Sequence, residues 1–317
     1  MAAFDLTLEH VRAAAARIAA HAHVTPVLHS RSLDAAAGAR LAFKCENLQR
    51  AGAFKFRGAC NAVWSLDEDT ARRGVVTHSS GNHGAALALA ARTRGIPAHV
   101  VVPQGAVKAK LAAIEAAGAT LHACAPTMAA REAKAAEVQA ATGATLVHPY
   151  TDPRVVAGQG TVALELLHQA GALDALIAPI GGGGLVGGCA IAAHGLDPSM
   201  RIYAAEPEGA PDAYESMRRG ERWTAFTPDT VCDGLRGTLG EPNFALLRAH
   251  AVEVLPVNDA EVIAAMRLLW ERLKLVVEPS AATVLAALLR HRERFAGRRV
   301  GLVLTGGNVD LDALPWR

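Results

Sequence analysis

Short apolar runs alternate with longer Ala-rich stretches of helical period along almost the whole chain. The runs at 41–46 (LAFKCE), 74–79 (GVVTHS), 98–103 (AHVVVP), 119–124 (ATLHAC), 144–148 (ATLVH), 175–180 (ALIAPI), 201–206 (RIYAAE) and 300–305 (VGLVLT) have strand length and predict strands. Between many of them lie stretches such as AALALAARTRG, KAKLAAIEAAG and VALELLHQA, which predict helices. Strand, helix, strand repetition with strands apolar on both faces predicts parallel-rich sheets covered by helices, an α/β fold. In such sheets ligands gather at the carboxyl ends of strands, where the chain turns into the next helix. Three of those turns are unusual: HSSGNHG (78–84), PIGGGGLVGG (179–188) and LTGGNVD (304–310).

Composition narrows the class. The chain has 317 residues, 51% of them hydrophobic, enough for two lobes of ordinary domain size with their own cores. Its 32 basic and 30 acidic residues are spread along the length for a net charge of +2, which argues against a nucleic-acid surface and for a small-molecule partner. Cys45, Cys60, Cys124, Cys189 and Cys232 are scattered without CxxC spacing, the pattern of buried thiols in a reducing compartment. The start MAAFDLTLEH lacks the order of a signal peptide and no apolar run is long enough to span a membrane, so a soluble cytoplasmic protein is expected.

The glycine run follows an apolar strand and opens an Ala-rich helix. Bare amides and the positive end of a helix there make a phosphate cradle. No Lys-Ser/Thr pair follows, so it is not the loop of a nucleotide triphosphatase. A rival reading remains open: Gly182, Gly184 and Gly187 satisfy GxGxxG, and Glu206 closes the next strand about 20 residues on, where a ribose-binding acid of a nicotinamide-dependent oxidoreductase would sit. In AGAFKFRGAC (51–60), Lys55 stands between Phe54 and Phe56. Apolar surroundings disfavour an ammonium and raise the share of neutral, nucleophilic amine. A lysine that forms an imine, together with an anion cradle, matches one phosphorylated aldehyde, pyridoxal 5'-phosphate.

AGAFKFRGA, THSSGNHG, GGGGLVGG, AEPEGAPDA, DGLRGTLG, EPSAA and LTGGNVD occur in the order seen in fold-type II pyridoxal-phosphate enzymes, and the chain resembles their serine/threonine dehydratase and serine racemase group from about Thr25-Pro26 to Asp310. The resemblance implies a large cofactor-binding lobe of residues 1–72 and 149–317, a small mobile substrate-binding lobe of 73–148, the cofactor in the cleft between them, and a homodimer. It implies that Lys55 carries the cofactor and takes the α-proton, and that Phe54 stacks on the pyridine ring. Asn82 would bond the ring hydroxyl, and Gly181, Gly182, Gly183, Gly184 and Leu185 would bind the phosphate. Thr305 would face the ring nitrogen, and Ser79, Ser80, Gly81, Asn82 and His83 would receive the substrate carboxylate. Glu206, the Ala210 carbonyl and Asp212 match a structural Mg²⁺ or Ca²⁺ site, an all-oxygen set suited to a hard cation. His83 also reads as a loop-stabilising imidazole.

A threonine hydroxyl at 305 is too weak an acid to keep the ring nitrogen protonated, which favours loss of a β-substituent over transamination. The implied reaction is an ammonia-lyase (dehydratase) reaction that converts a 3-hydroxy amino acid to a 2-oxo acid and ammonia. Ser80, on the opposite face of the cofactor from Lys55, leaves racemisation as the alternative. Ala53 and Ala85 stand where the family has serine and glutamine, which suggests room for a bulkier β-substituent such as that of phenylserine. For threo-3-hydroxyaspartate, Arg131 or Arg236 is the candidate partner of the second carboxylate. No regulatory domain is expected after the last core strand.

Overall fold

The computed structural model describes residues 4–106 and 108–316. The chain lays down β1 (Val27–Leu28) and β2 (Arg40–Cys45), then β3 (Val75–His78), β4 (Ala98–Pro103), β5 (Thr120–Cys124) and β6 (Thr145–Leu146). It continues through β7 (Ala175–Pro179), β8 (Arg201–Pro207), β9 (Glu253–Val257) and β10 (Arg299–Leu304). One six-stranded sheet has the order β1-β2-β10-β7-β8-β9 and is parallel except for β1; a four-stranded, wholly parallel sheet has the order β5-β4-β3-β6. The strands of the smaller sheet all come from one continuous stretch of sequence.

Alternation along the strands explains why helices cover both faces. Leu41 and Phe43 of β2, Ile177 of β7 and Leu302 of β10 pack with the helices Arg31–Ala37, Asp259–Leu273 and Pro279–Arg290. Their sequence neighbours Ala42, Leu176 and Val303 point the other way, into the helices Leu8–Ile18, Pro153–Ala170 and Gly184–Leu196. In the smaller sheet Val75 packs against Phe56 and Leu87, and Val76 packs on the opposite face against Val138.

Two strands were not expected. β1 is only two residues long, and β9 has the sequence EVLPV, where Pro256 interrupts a strand reading. Pro256 is tolerated because β9 is an outer strand with a single partner, β8.

A charged group is enclosed between the large sheet and the helices Lys55–Trp64 and Pro153–Ala170. Arg57, fully buried, donates to Glu46 at 2.7 and 2.8 Å and to Glu165 through two bonds of 2.7 Å. Lys44 Nζ donates to Glu165 at 2.7 Å, to Gln169 at 2.9 Å and to the Thr25 carbonyl at 2.7 Å. Burial opposes the charge on Arg57, but the two carboxylates outweigh it and hold the guanidinium protonated. The group ties the helix that begins at Lys55 to β2 and to the long helix behind it.

Candidate active site

The carboxyl ends of β3, β7 and β10 converge on one pocket, as expected for ligand sites of parallel sheets. Its wall from the small-sheet side is Ser79, Ser80, Gly81, Asn82, His83 and Arg131. The facing wall brings together Phe54, Lys55, Gly181, Gly182, Gly183, Gly184, Leu185 and Thr305. Apart from Arg236, the residues that the sequence assigns to cofactor and substrate therefore share one cavity, built from segments more than 200 positions apart.

Lys55 opens the helix Lys55–Trp64, and its Nζ donates to the Pro149 carbonyl at 3.0 Å. The amine also lies 5.2 Å from the centre of the Phe54 ring. Burial lowers its pKa from 10.5 to about 8, because the pocket solvates an ammonium poorly. A substantial neutral fraction is thus present near physiological pH, the form that attacks an aldehyde.

The glycine run leaves β7 and enters the helix Gly184–Leu196, whose first turn has no side-chain cap. Gly183 sits at φ 88, a left-handed conformation that disfavours any side chain. A Cβ on Gly182 would lie 2.2 Å from Tyr150 Cγ, so the backbone there approaches its neighbours too closely for anything but glycine. Uncapped amides at a helix N-terminus suit a phosphate. Together with the neutral-leaning Lys55 and the Thr305 hydroxyl at the end of β10, they fit pyridoxal phosphate.

His83 is buried; its Nε2 donates to the Val147 carbonyl at 3.3 Å, which makes it a loop-stabilising imidazole. Burial and the nearby Lys55 push its pKa well below the usual value, so the ring is neutral. Asn82 gives its Nδ2 to Glu278 and accepts at Oδ1 from Asn308. Glu278, which also lines the pocket, has no role in the sequence reading, although EPSAA is one of the motifs. His78 and Tyr150 are two further wall residues that sequence reasoning missed.

The two arginine candidates separate. Arg131, on the helix Met128–Thr142, lines the pocket, and its buried Nε has no partner among the described residues. Arg236 instead donates through Nε and Nη2 to the Thr230 carbonyl at 3.2 and 2.6 Å and is not part of the wall. The space expected from the two alanines is also elsewhere. Ala53 is fully buried in a bridge to Gly306, and Ala85 lines a separate apolar groove with Leu89 and Leu311.

Glu206, one residue before the end of β8, lies outside the pocket and accepts from the backbone N–H groups of Ala213 and Tyr214 at 2.7 and 2.8 Å. It is spent on the first turn of the helix Asp212–Arg219, which removes the ribose-binding acid of the dinucleotide reading. Asp212 accepts from Leu239 N at 2.6 Å, and its buried Oδ1 has no partner among the described residues. Burial raises Asp212 to about 6, and burial together with Asp212 raises Glu206 well above the carboxylate range. Ala210 is buried in the turn between them. Two crowded carboxylates with an orphaned oxygen suit a small hard cation, although no cluster of three or more His, Cys, Asp or Glu residues surrounds a metal position among the described residues.

All five cysteines are buried and free, and no described helix is long and apolar enough to cross a membrane.

A family model described as "Pyridoxal-phosphate dependent enzyme" matches residues 18–306. The chain is 49% identical over 310 residues to the β-hydroxyaspartate dehydratase of Paracoccus denitrificans (strain Pd 1222), covering 98% of each protein. It is also 49% identical over 303 residues to the serine racemase of Arabidopsis thaliana, covering 94% of this chain and 92% of that one. The solved structure of maize serine racemase superposes with a TM-score of 0.95 at 44% identity, covering 98% of this chain and 95% of the other.

Proposed function

The chain belongs to the pyridoxal-phosphate-dependent enzyme family, and we propose that it is a dehydratase of 3-hydroxyaspartate, releasing a 2-oxo acid and ammonia. The observation that carries this reading is Arg131: a guanidinium with an unpaired buried Nε in the same pocket as Lys55. An amino acid whose β-carbon bears a second carboxylate would supply the missing partner, and a charge-assisted pair of that kind favours a dicarboxylate over serine or threonine. The 49% identical relative named for β-hydroxyaspartate supports the same choice.

Pyridoxal phosphate, when bound, supplies an electron-withdrawing imine that acidifies the substrate α-hydrogen. Lys55 would attach it, Gly181 to Leu185 would hold its phosphate, Phe54 would lie against its ring, Asn82 would meet its hydroxyl and Thr305 its nitrogen. Ser79 to His83 would receive the α-carboxylate, and Lys55, once free, would take the α-proton. Ser80 stands in the same pocket and could return a proton from the other side, so racemisation is the second reading, supported by the relatives named serine racemase. The stretch 73–148 would act as a small lobe that closes on substrate. Glu206, the Ala210 carbonyl and Asp212 would hold Mg²⁺ or Ca²⁺. Five buried free thiols agree with a reducing, cytoplasmic setting, and a homodimer remains the expected assembly.

The test is turnover by the holoprotein of L-serine, L-threonine, phenylserine and threo-3-hydroxyaspartate, with 2-oxo acid, ammonia and D-isomer measured together. The reading requires the highest kcat/KM on 3-hydroxyaspartate. Higher values on serine would remove the dicarboxylate, and D-isomer without oxo acid would make the protein a racemase.

A further inference from the structure

We propose that Tyr150 is the general acid that protonates the departing β-hydroxyl. The inference rests on the dehydratase reading and adds the acid that such a reaction needs beside its base. Hydroxide is a poor leaving group at neutral pH, and a positioned acid is the usual remedy.

Tyr150 follows directly on Pro149, whose carbonyl accepts from Lys55 Nζ at 3.0 Å, so the phenol is built into the loop that also holds the base. That loop is pinned on both sides. His148 Nδ1 accepts from Tyr150 N at 3.4 Å and from Thr151 N at 3.1 Å, while Asn243 Nδ2 donates to the Tyr150 carbonyl at 2.9 Å. The ring stands over the glycine run: three of its carbons lie within 2.2 to 2.5 Å of the position a Gly182 Cβ would take, and Cε1 lies 3.8 Å from that of Gly237. His148 packs edge-on against it with centroids 4.6 Å apart, which fixes its plane. The phenol hydroxyl, alone among the polar parts of this residue, has no hydrogen-bond partner among the described residues.

The imidazoles and the Glu278 carboxyl of the wall are poorer donors. Burial lowers the pKa of His78 and His83, leaving them neutral, and the Nε2–H of His83 is already given to Val147. Glu278 is engaged by Asn82. For Tyr150, burial and then the carboxylates of Glu132 and Asp212 raise the pKa, so the phenol enters the reaction protonated. The step balances without any outside reagent. The α-proton passes to the Lys55 amine, and the C–H pair forms the Cα–Cβ double bond. As that double bond forms, the Cβ–O bond breaks with its electrons on oxygen, which takes the Tyr150 proton and leaves as water. One proton returned to the phenolate and one lost by the Lys55 ammonium restore both groups.

The experiment compares wild type and Tyr150→Phe on threo-3-hydroxyaspartate and on threo-3-chloroaspartate, whose chloride leaves without a proton. The variant should lose about 100-fold in kcat on the hydroxy substrate and stay within about threefold on the chloro substrate, with the visible absorption of the bound cofactor unchanged. Equal losses on both substrates, or weakened cofactor binding as the sole effect, would overturn the acid role and leave Tyr150 a wall of the cradle. If wild type ignores 3-hydroxyaspartate but eliminates from L-serine, the dicarboxylate reading fails separately, and the pair L-serine and β-chloro-L-alanine decides the acid role on the same criterion. A wild type inert toward both hydroxy substrates overturns both readings.

Discussion

Asn82 Nδ2 lies 2.9 and 3.2 Å from the two carboxylate oxygens of Glu278, and this bond joins the helix that follows β3 to the helix that begins at Pro279. Asn308 extends the contact by donating to Asn82 Oδ1 at 2.9 Å and to the Ala51 carbonyl at 2.8 Å. Asn82→Ala removes a donor from a carboxylate that is 4% exposed, and should cost about 1–3 kcal/mol, read as a lower Tm. Asn82→Asp should cost more, because it places a second carboxylate against the first. A variant in which aspartate is no worse than alanine would mean that Glu278 does not depend on this donor.

Arg131→Gln should reduce kcat/KM on 3-hydroxyaspartate by the equivalent of about 2–5 kcal/mol, the range for removing one partner of an enclosed charge pair. Activity on L-serine should change little. Arg236→Gln, whose parent side chain is turned to the Thr230 carbonyl, should leave the preference between the two substrates intact. Steady-state kinetics on both substrates checks all three outcomes.

The depressed pKa of Lys55 sets the pH dependence of cofactor attachment. Its neutral form, the nucleophile, accumulates as pH rises through about 8, whereas an ordinary lysine would require 10.5. The rate at which apoprotein develops the absorption of bound pyridoxal phosphate should therefore climb between pH 7 and 9 and then level off. A rate still climbing at pH 10 would show that the amine is not shielded.

Glu206 and Asp212 predict a pH-dependent response to Mg²⁺. Both carboxyls have pKa values raised in the fold, so their protonated forms favour the folded state. That contribution is present at low pH and is lost as pH rises through about 6, where Asp212 ionises beside Glu206. Mg²⁺ or Ca²⁺ should offset the loss, raising Tm at pH 8 and not at pH 5. Asp212→Asn should flatten both the pH trend and the metal effect. Melting curves at the two pH values, with and without the cation, give the answer.

The sheets and the pocket were legible where a local pattern carries the information. β4, for example, spans the same residues as its apolar run, and the three Gly- or Ser-rich turns at the ends of β3, β7 and β10 do meet. β9 was hidden because Pro256 argues against a strand until its place at the sheet edge is known. Tyr150 belongs to none of the motifs read from the sequence; its place in the pocket comes from Gly182, which lies beneath the ring only after folding. Spacing also could not choose between Arg131 and Arg236, since the choice depends on which way each side chain turns.

The enclosed group of Lys44, Glu46, Arg57 and Glu165 limits how the gene for this protein can drift. Substituting Arg57, which joins both carboxylates, strands the fully buried Glu46 at about 3–5 kcal/mol, a large share of the roughly 5–15 kcal/mol that keeps a domain folded. Replacing all of them with well-packed apolar side chains would be close to neutral, but no single codon change leads there. The partial replacements are the least stable forms. Lys55, two residues from Arg57, therefore sits in a stretch of chain where a single substitution at Arg57 is costly.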